Sequence, residues 1–165
     1  MSLPTKESPD VILDMHLKTV GILVNVAVNC DLILFNAFRV VSGCESNIAN
    51  AIYFAFESLQ TKKNIVARVL RANGDSDETK IVDAIISATE KANNKRNEIS
   101  HALLQADGNQ ILALNARQQG KPAKPVTPQY LDDLLRQASN AHVSALREYQ
   151  LLCQRRGIST SISHE

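Results

Sequence analysis

Arg96 and His101, with Asn97 between them, are the side chains in this sequence best suited to chemistry. A guanidinium grips anionic oxygens through forked hydrogen bonds. An imidazole moves protons near neutral pH, because its ordinary pKa lies near about 6.5. On a helix advancing about 100° per residue, Ile81, Ile85, Ala88, Ala92, Ile99 and Leu103 share one arc, widened by Val82, Ile86 and Leu104. Arg96 falls inside that arc, with Asn93, Asn97 and Ser100 close by. Burying an arginine and amides is costly unless each finds a partner. The interruption marks either a polar interface or a site. Asn97 and His101 are four apart and so neighbours on a helix surface, where one side chain can hold the other.

The chain around this cluster has 165 residues, enough for one domain with its own core. Hydrophobic residues make up 44% and aromatics only 4%, without tryptophan, so packing rests on Leu, Ile, Val and Ala. A formal charge of +1 excludes the strongly basic character of a protein that coats nucleic acid. The charge is uneven: residues 1–60 hold three basic and six acidic side chains, residues 61–165 fifteen and eleven. A local phosphate site is compatible with that polarity. Cys30, Cys44 and Cys153 have neither disulfide-framework nor zinc-ligand spacing and read as free thiols of a reducing compartment. The leader 1–9 is polar and lacks the pattern of a secretory signal. The apolar run Thr19–Cys30 is shorter than the roughly 20 residues of a membrane span. A cytoplasmic protein without a membrane segment is expected.

Four long helices should position the cluster. Asp10 to Val41 reads as a first helix, apolar nearly all round and closed by Gly43, which suits a helix surrounded by others or shared with a partner chain. A second runs from Ser46 or Asn47 to about Ala72 and stops at Asn73-Gly74-Asp75. A third starts at Ser76 or Asp77, carries the polar cluster and ends near Asp107-Gly108. Gln110–Leu114 reads as a short strand, and Gln118–Val126 as a Gly/Pro/Lys connector able to turn back as a hairpin. Thr127-Pro128 opens a last helix to about Arg156. The expected architecture is therefore all-α: a four-helix bundle of long antiparallel helices with a short β-like hairpin or loop before the last one, spanning 10–156, followed by a flexible tail at 157–165. So apolar a first helix points to a homodimer.

The order R-N-x-x-x-H near the end of the third helix of a four-helix protein resembles the signature of the HEPN superfamily, named for nucleotide-binding proteins of higher eukaryotes and prokaryotes. Arg96, Asn97 and His101 carry the resemblance. The strand-like segment, polar turn and long final helix opening with T-P-x-x-L-x-x-L extend it in layout over roughly 47–156. Many members have Gly after the His, where this chain has Ala102.

The resemblance implies a metal-independent endoribonuclease, of the kind found among toxins and defence effectors, or an inactive relative. Such enzymes work as dimers, with Arg–His pairs from two subunits meeting in one cleft. His101 would take the proton from a ribose 2′-hydroxyl. Arg96 would hold the phosphate and its transition-state charge. Asn97 would orient the ring or a phosphate oxygen, with Lys95, Asn93 and Ser100 lining the substrate site. On the wheel, Asn97 and His101 lie about 100° and 140° from Arg96, a spread that suits a site composed across a two-fold axis better than one built in a single chain. RNA is then the substrate, a second copy the partner, and a cognate antitoxin or other protein a further one. No metal or cofactor is called for.

The same residues have a structural alternative. Arg96 can bond helix-end carbonyls or pair with Glu98, and His101 can rest near a helix C-terminus, where positive charge is favoured. That reading gives a non-catalytic helical dimer binding a protein or nucleotide. Arg136 and His142 repeat the spacing loosely but lack flanking polar residues. Lys62, Lys63, Arg68 and Arg71 read as a solvated basic face, and Asp132-Asp133 as helix-opening acids.

Overall fold

The computed structural model describes residues 8–108, 110–115 and 123–159. The described chain is mostly helical, with a small sheet: α1 (Pro9–Ser42), α2 (Ser46–Tyr53), α3 (Leu59–Asn73), α4 (Ser76–Ser100), β1 (Ala102–Asp107), β2 (Gln110–Asn115), β3 (Lys124–Pro125) and α5 (Pro128–Arg155).

Local chemistry sets most of these boundaries. Gly43 takes φ 64°, the left-handed conformation that side chains resist, and its N–H closes α1 on the Arg39 carbonyl. Asp75 caps α4, accepting from the Asp77 and Glu78 N–H groups, while Glu78 reaches back to complete a capping box. The Thr127 side chain accepts from the Tyr130 N–H with Pro128 in the first turn of α5.

Three long helices form the frame. Arg156, just past α5, grips Glu78 at the start of α4 at 2.5 and 2.8 Å. Tyr130, near the start of α5, donates to Glu98 near the end of α4 at 3.2 Å. The two helices are therefore antiparallel, and α1 runs with α5. One core cluster joins the second half of α1 to α2, α3, the first half of α4 and the end of α5, around Leu34, Phe38, Tyr53, Val66, Ile85 and Leu152. The other joins the first half of α1 to Ile99, Ile111, Val126 and the start of α5. Cys30, Ala92 and Ala141 bridge them. Short α2 and α3 thus cover one end of the frame, and the sheet covers the other.

Two expectations are corrected. The segment expected as one helix from 46 to 72 is two, broken at residues 54–58. Tyr53, the last residue of α2, is fully buried, and Ser58 restarts the helix by accepting from the Thr61 N–H at 3.1 Å. The third long helix ends at Ser100 instead of near Asp107, so His101 is its C-cap. Ala102–Asp107 pairs antiparallel with Gln110–Asn115, and Gly108, at φ 56°, supplies the tight reversal. Leu103, expected on the apolar arc, is 62% exposed as a result. The strand expected at 110–114 is present. Its return partner is Lys124–Pro125, placed opposite Ala113 and Leu112. Most of the connector, 116–122, lies outside the described residues, as do positions 1–7 of the leader and 160–165 of the tail.

α1 is not buried on all sides. Ile12, His16, Leu23, Ala27, Cys30, Leu34 and Val41 form its inner arc. Leu13, Leu17, Val24, Val28 and Leu32 lie on another arc, each 39–62% exposed. Those five side chains leave an uncovered apolar stripe, and such a patch on a monomer often has a function. An 18-residue stretch of α1 has mean hydropathy 1.8, with 39% of it buried. By length and composition this helix could span a membrane, a property shared by core helices of soluble folds.

Candidate functional site

Asn93 and Arg96 occupy adjacent turns on one face of α4, and the Arg96 guanidinium donates to Asn93 Oδ1. Both line a cavity of about 250 Å3 between α4, α1 and the start of α3. Val24, Ala27 and Val28 make its apolar wall, and Asp31, Glu57, Lys62 and Thr89 complete the polar one. Val24 and Val28 belong to the exposed stripe of α1. The arginine therefore sits where the uncovered apolar surface meets the cluster.

A buried network braces the far side of the cavity. Lys62, only 8% exposed, donates from Nζ to Asp31 Oδ2 at 2.6 Å. The Tyr53 hydroxyl donates to Asp31 Oδ1 at 2.9 Å. Burial, helped by the Asp31 carboxylate, pushes the Tyr53 phenol well above its usual range, so it remains a donor. Lys62 Nζ also lies 4.8 Å from the Tyr53 ring centroid and 5.0 Å from that of Phe54, within cation–π reach. Lys62 thus turns inward, while Lys63 pairs with Glu90. Of the basic face expected of α3, Lys62 and Lys63 are taken into these two pairs, while Arg68 and Arg71 are exposed.

The other residues of the cluster are distributed differently. Asn97 is half-buried, and its carbonyl accepts the His101 N–H at 3.4 Å. Ser100 and His101 are exposed at the end of α4, where the chain turns into β1. Lys95 points away from Arg96. It pairs with Glu98 at 3.2 Å and lines a separate groove between α4 and α5 with Lys91, Asn94, Gln137 and Asn140. Glu98 also accepts from Tyr130, whose phenol is pushed up to about 12 by burial and that carboxylate. Glu98 is therefore the partner of Lys95 and Tyr130, and the Arg96–Glu98 pair considered from sequence is replaced by Arg96–Asn93.

Sequence reasoning missed Asp31, Glu57 and Thr89 and placed Lys62 on a solvated face. One signal was present: Asp31 is the lone charge between Lys18 and Arg39 in a mostly apolar stretch. Burial is a strong hint that such a carboxylate has a partner. The looser pair stays unremarkable, since Arg136 bonds Asp133 at 2.5 Å on an exposed face. Among the described residues, no group of three or more His, Cys, Asp or Glu is placed to hold a metal. Cys30 and Cys153 are buried free thiols and Cys44 a half-buried one, with burial raising Cys30 to about 11.

Comparison with protein-family models, curated proteins and solved structures found no match to this chain.

Proposed function

We propose that this protein is a HEPN-like, metal-independent endoribonuclease, a toxin or defence effector in the cytoplasm, whose site is completed when two copies pair through α1. The observation that supports this most is the place of Arg96, in a cavity walled by Val24 and Val28 of an apolar stripe that no element of the described chain covers. A second copy seated on that stripe, in place of lipid, closes over both arginines. It also brings the exposed ends of two α4 helices, with Asn97, Ser100 and His101, toward one cleft. A two-fold axis makes the patch self-complementary.

The chemistry follows from the side chains. A neutral His101 imidazole takes the proton of a ribose 2′-hydroxyl. The freed oxygen attacks the adjacent phosphorus, and the bond to the 5′-oxygen breaks. That oxygen leaves with a proton supplied by water. The products are a 2′,3′-cyclic phosphate and a 5′-hydroxyl. Arg96, held by Asn93, binds the non-bridging oxygens as their charge grows. Asn97 orients the ring or a phosphate oxygen.

Purified protein in EDTA is expected to cut single-stranded RNA and leave cyclic phosphate ends, with His101→Ala abolishing cleavage. Equal cutting by the variant overturns the assignment. The charge balance of the cavity favours a second reading. Asp31 and Glu57 face Lys62 and Arg96 there, an arrangement that also serves a non-catalytic helical dimer binding a protein or nucleotide. In that case Arg96→Ala lowers dimer stability, and RNA is never cut.

A further inference from the structure

Beside the Arg96 cavity, the loop between α2 and α3 holds side chains that cleavage chemistry leaves unused. Where α2 breaks, residues 54–58 bring two aromatic rings to the surface, Phe54 at 43% and Phe56 at 38% exposure. Phe54 is held firmly from behind. Its ring centroid lies 5.0 Å from Phe35 and 5.1 Å from Tyr53, the latter edge-on. Lys62, whose Nζ approaches the same ring at 5.0 Å, also lines the cavity with Arg96. Glu57, three residues after Phe54, lines that cavity too and is exposed. Among the described residues Glu57 has no ion-pair partner.

Phe54 does not itself line the cavity; Lys62, against its ring, and Glu57, three residues on, join it to the half-buried Arg96. Aromatic side chains bind single-stranded nucleic acid by stacking on any base. Recognition among bases then falls to hydrogen bonds on the Watson–Crick edge. A carboxylate accepts two N–H groups from the edge of guanine. On adenine it meets one donor beside a ring-nitrogen acceptor, which repels it.

We infer that this loop, with Arg96 beside it, forms a base subsite for single-stranded RNA. Phe54 stacks on the base, Glu57 accepts from a guanine edge, and Arg96 takes the adjoining phosphate. The choice of RNA rests on the ribonuclease reading above. The apolar stripe of α1 remains the contact between copies, and Phe54 faces the substrate.

The test uses the full chain and uncleavable 2′-O-methyl pentanucleotides, four uridines flanking a central guanosine, adenosine or abasic position, read by fluorescence anisotropy. The guanosine oligomer is expected to bind about tenfold tighter than the abasic one, the scale of a single stacked base. Phe54→Ala should erase that difference and Phe54→Trp retain it. Glu57→Gln should remove the preference for guanosine over adenosine while the base still outbinds the abasic position. Light scattering on each variant reports the oligomer. The subsite is overturned if Phe54→Ala keeps the full difference between base and abasic position. It is equally overturned if Phe54→Ala dissociates the oligomer without touching that difference, or if no oligomer binds. Cleavage of unmodified RNA is read separately. Intact cleavage without base effects removes the subsite alone, whereas base effects without cleavage remove the catalytic reading alone.

Discussion

Lys62 Nζ lies 2.6 Å from Asp31 Oδ2, joining α3 to the middle of α1 through a lysine only 8% exposed. Tyr53 occupies the other carboxylate oxygen at 2.9 Å. The three side chains tie α1, α2 and α3 together beside Arg96, so the shape of the cavity depends on a pair whose charges are mutually satisfied.

Breaking this pair from one side should be costly. Lys62→Met leaves Asp31 with its tyrosine and a side chain 28% exposed. The expected loss is therefore about 2–4 kcal/mol, at or below the range for fully buried pairs. Urea denaturation checks this. Combining Lys62→Met with Asp31→Leu should cost less than the sum of the two single changes, because the orphaned carboxylate is then gone.

The stripe of Leu17, Val24 and Val28 should hold two copies together. A standard interface buries about 800 Å2 on each partner, and the stripe supplies much of the apolar part. Val28→Asp is expected to turn a dimer into a monomer in light scattering, with the helical circular dichroism retained. A monomeric wild type at micromolar concentration contradicts the arrangement.

His16 sits in the inner arc of α1, 5% exposed, and its Nδ1 lacks a partner among the described residues. Burial holds its pKa below the ordinary imidazole value. The unfolded chain therefore binds the proton more readily than the folded one. Stability from this group is complete above about 6.5, the unfolded value, and is lost as pH falls through it toward the lowered folded value. His16→Met should flatten the change in urea midpoint between about pH 7 and 5. An identical pH dependence in the variant refutes the role of His16.

Much of this fold was legible because its punctuation is local. Gly43 after an apolar run and Thr127-Pro128 before another mark the ends of α1 and the start of α5 through their own backbone preferences. Ala102–Asp107 misled because Ala-Leu-Leu-Gln-Ala suits a helix by intrinsic propensity. Pairing with Gln110–Asn115 overrides that propensity, and a pairing is a property of two segments. The break at 54–58 was hidden for a similar reason, since Tyr53 turns inward to reach Asp31, 22 residues away. Within the site, Asn93 and Arg96 could be joined by their three-residue spacing. Asp31, Glu57 and Lys62 reach the same cavity from other elements, and no local pattern announces such a meeting. Lys95, adjacent to Arg96 in sequence, turns to the opposite side because successive helical residues diverge by about 100°.

A cleft shared by two copies predicts that Arg96 and His101 variants complement each other. The most direct measurement mixes Arg96→Ala with His101→Ala protein, lets the subunits exchange, and follows single-stranded RNA in EDTA. Each variant alone should be inactive. The mixture should regain part of the wild-type rate, because one hybrid cleft recovers an arginine and a histidine, and its products should carry 2′,3′-cyclic phosphate. A mixture as inactive as its two components, or cleavage by His101→Ala alone at the wild-type rate, overturns the shared catalytic cleft.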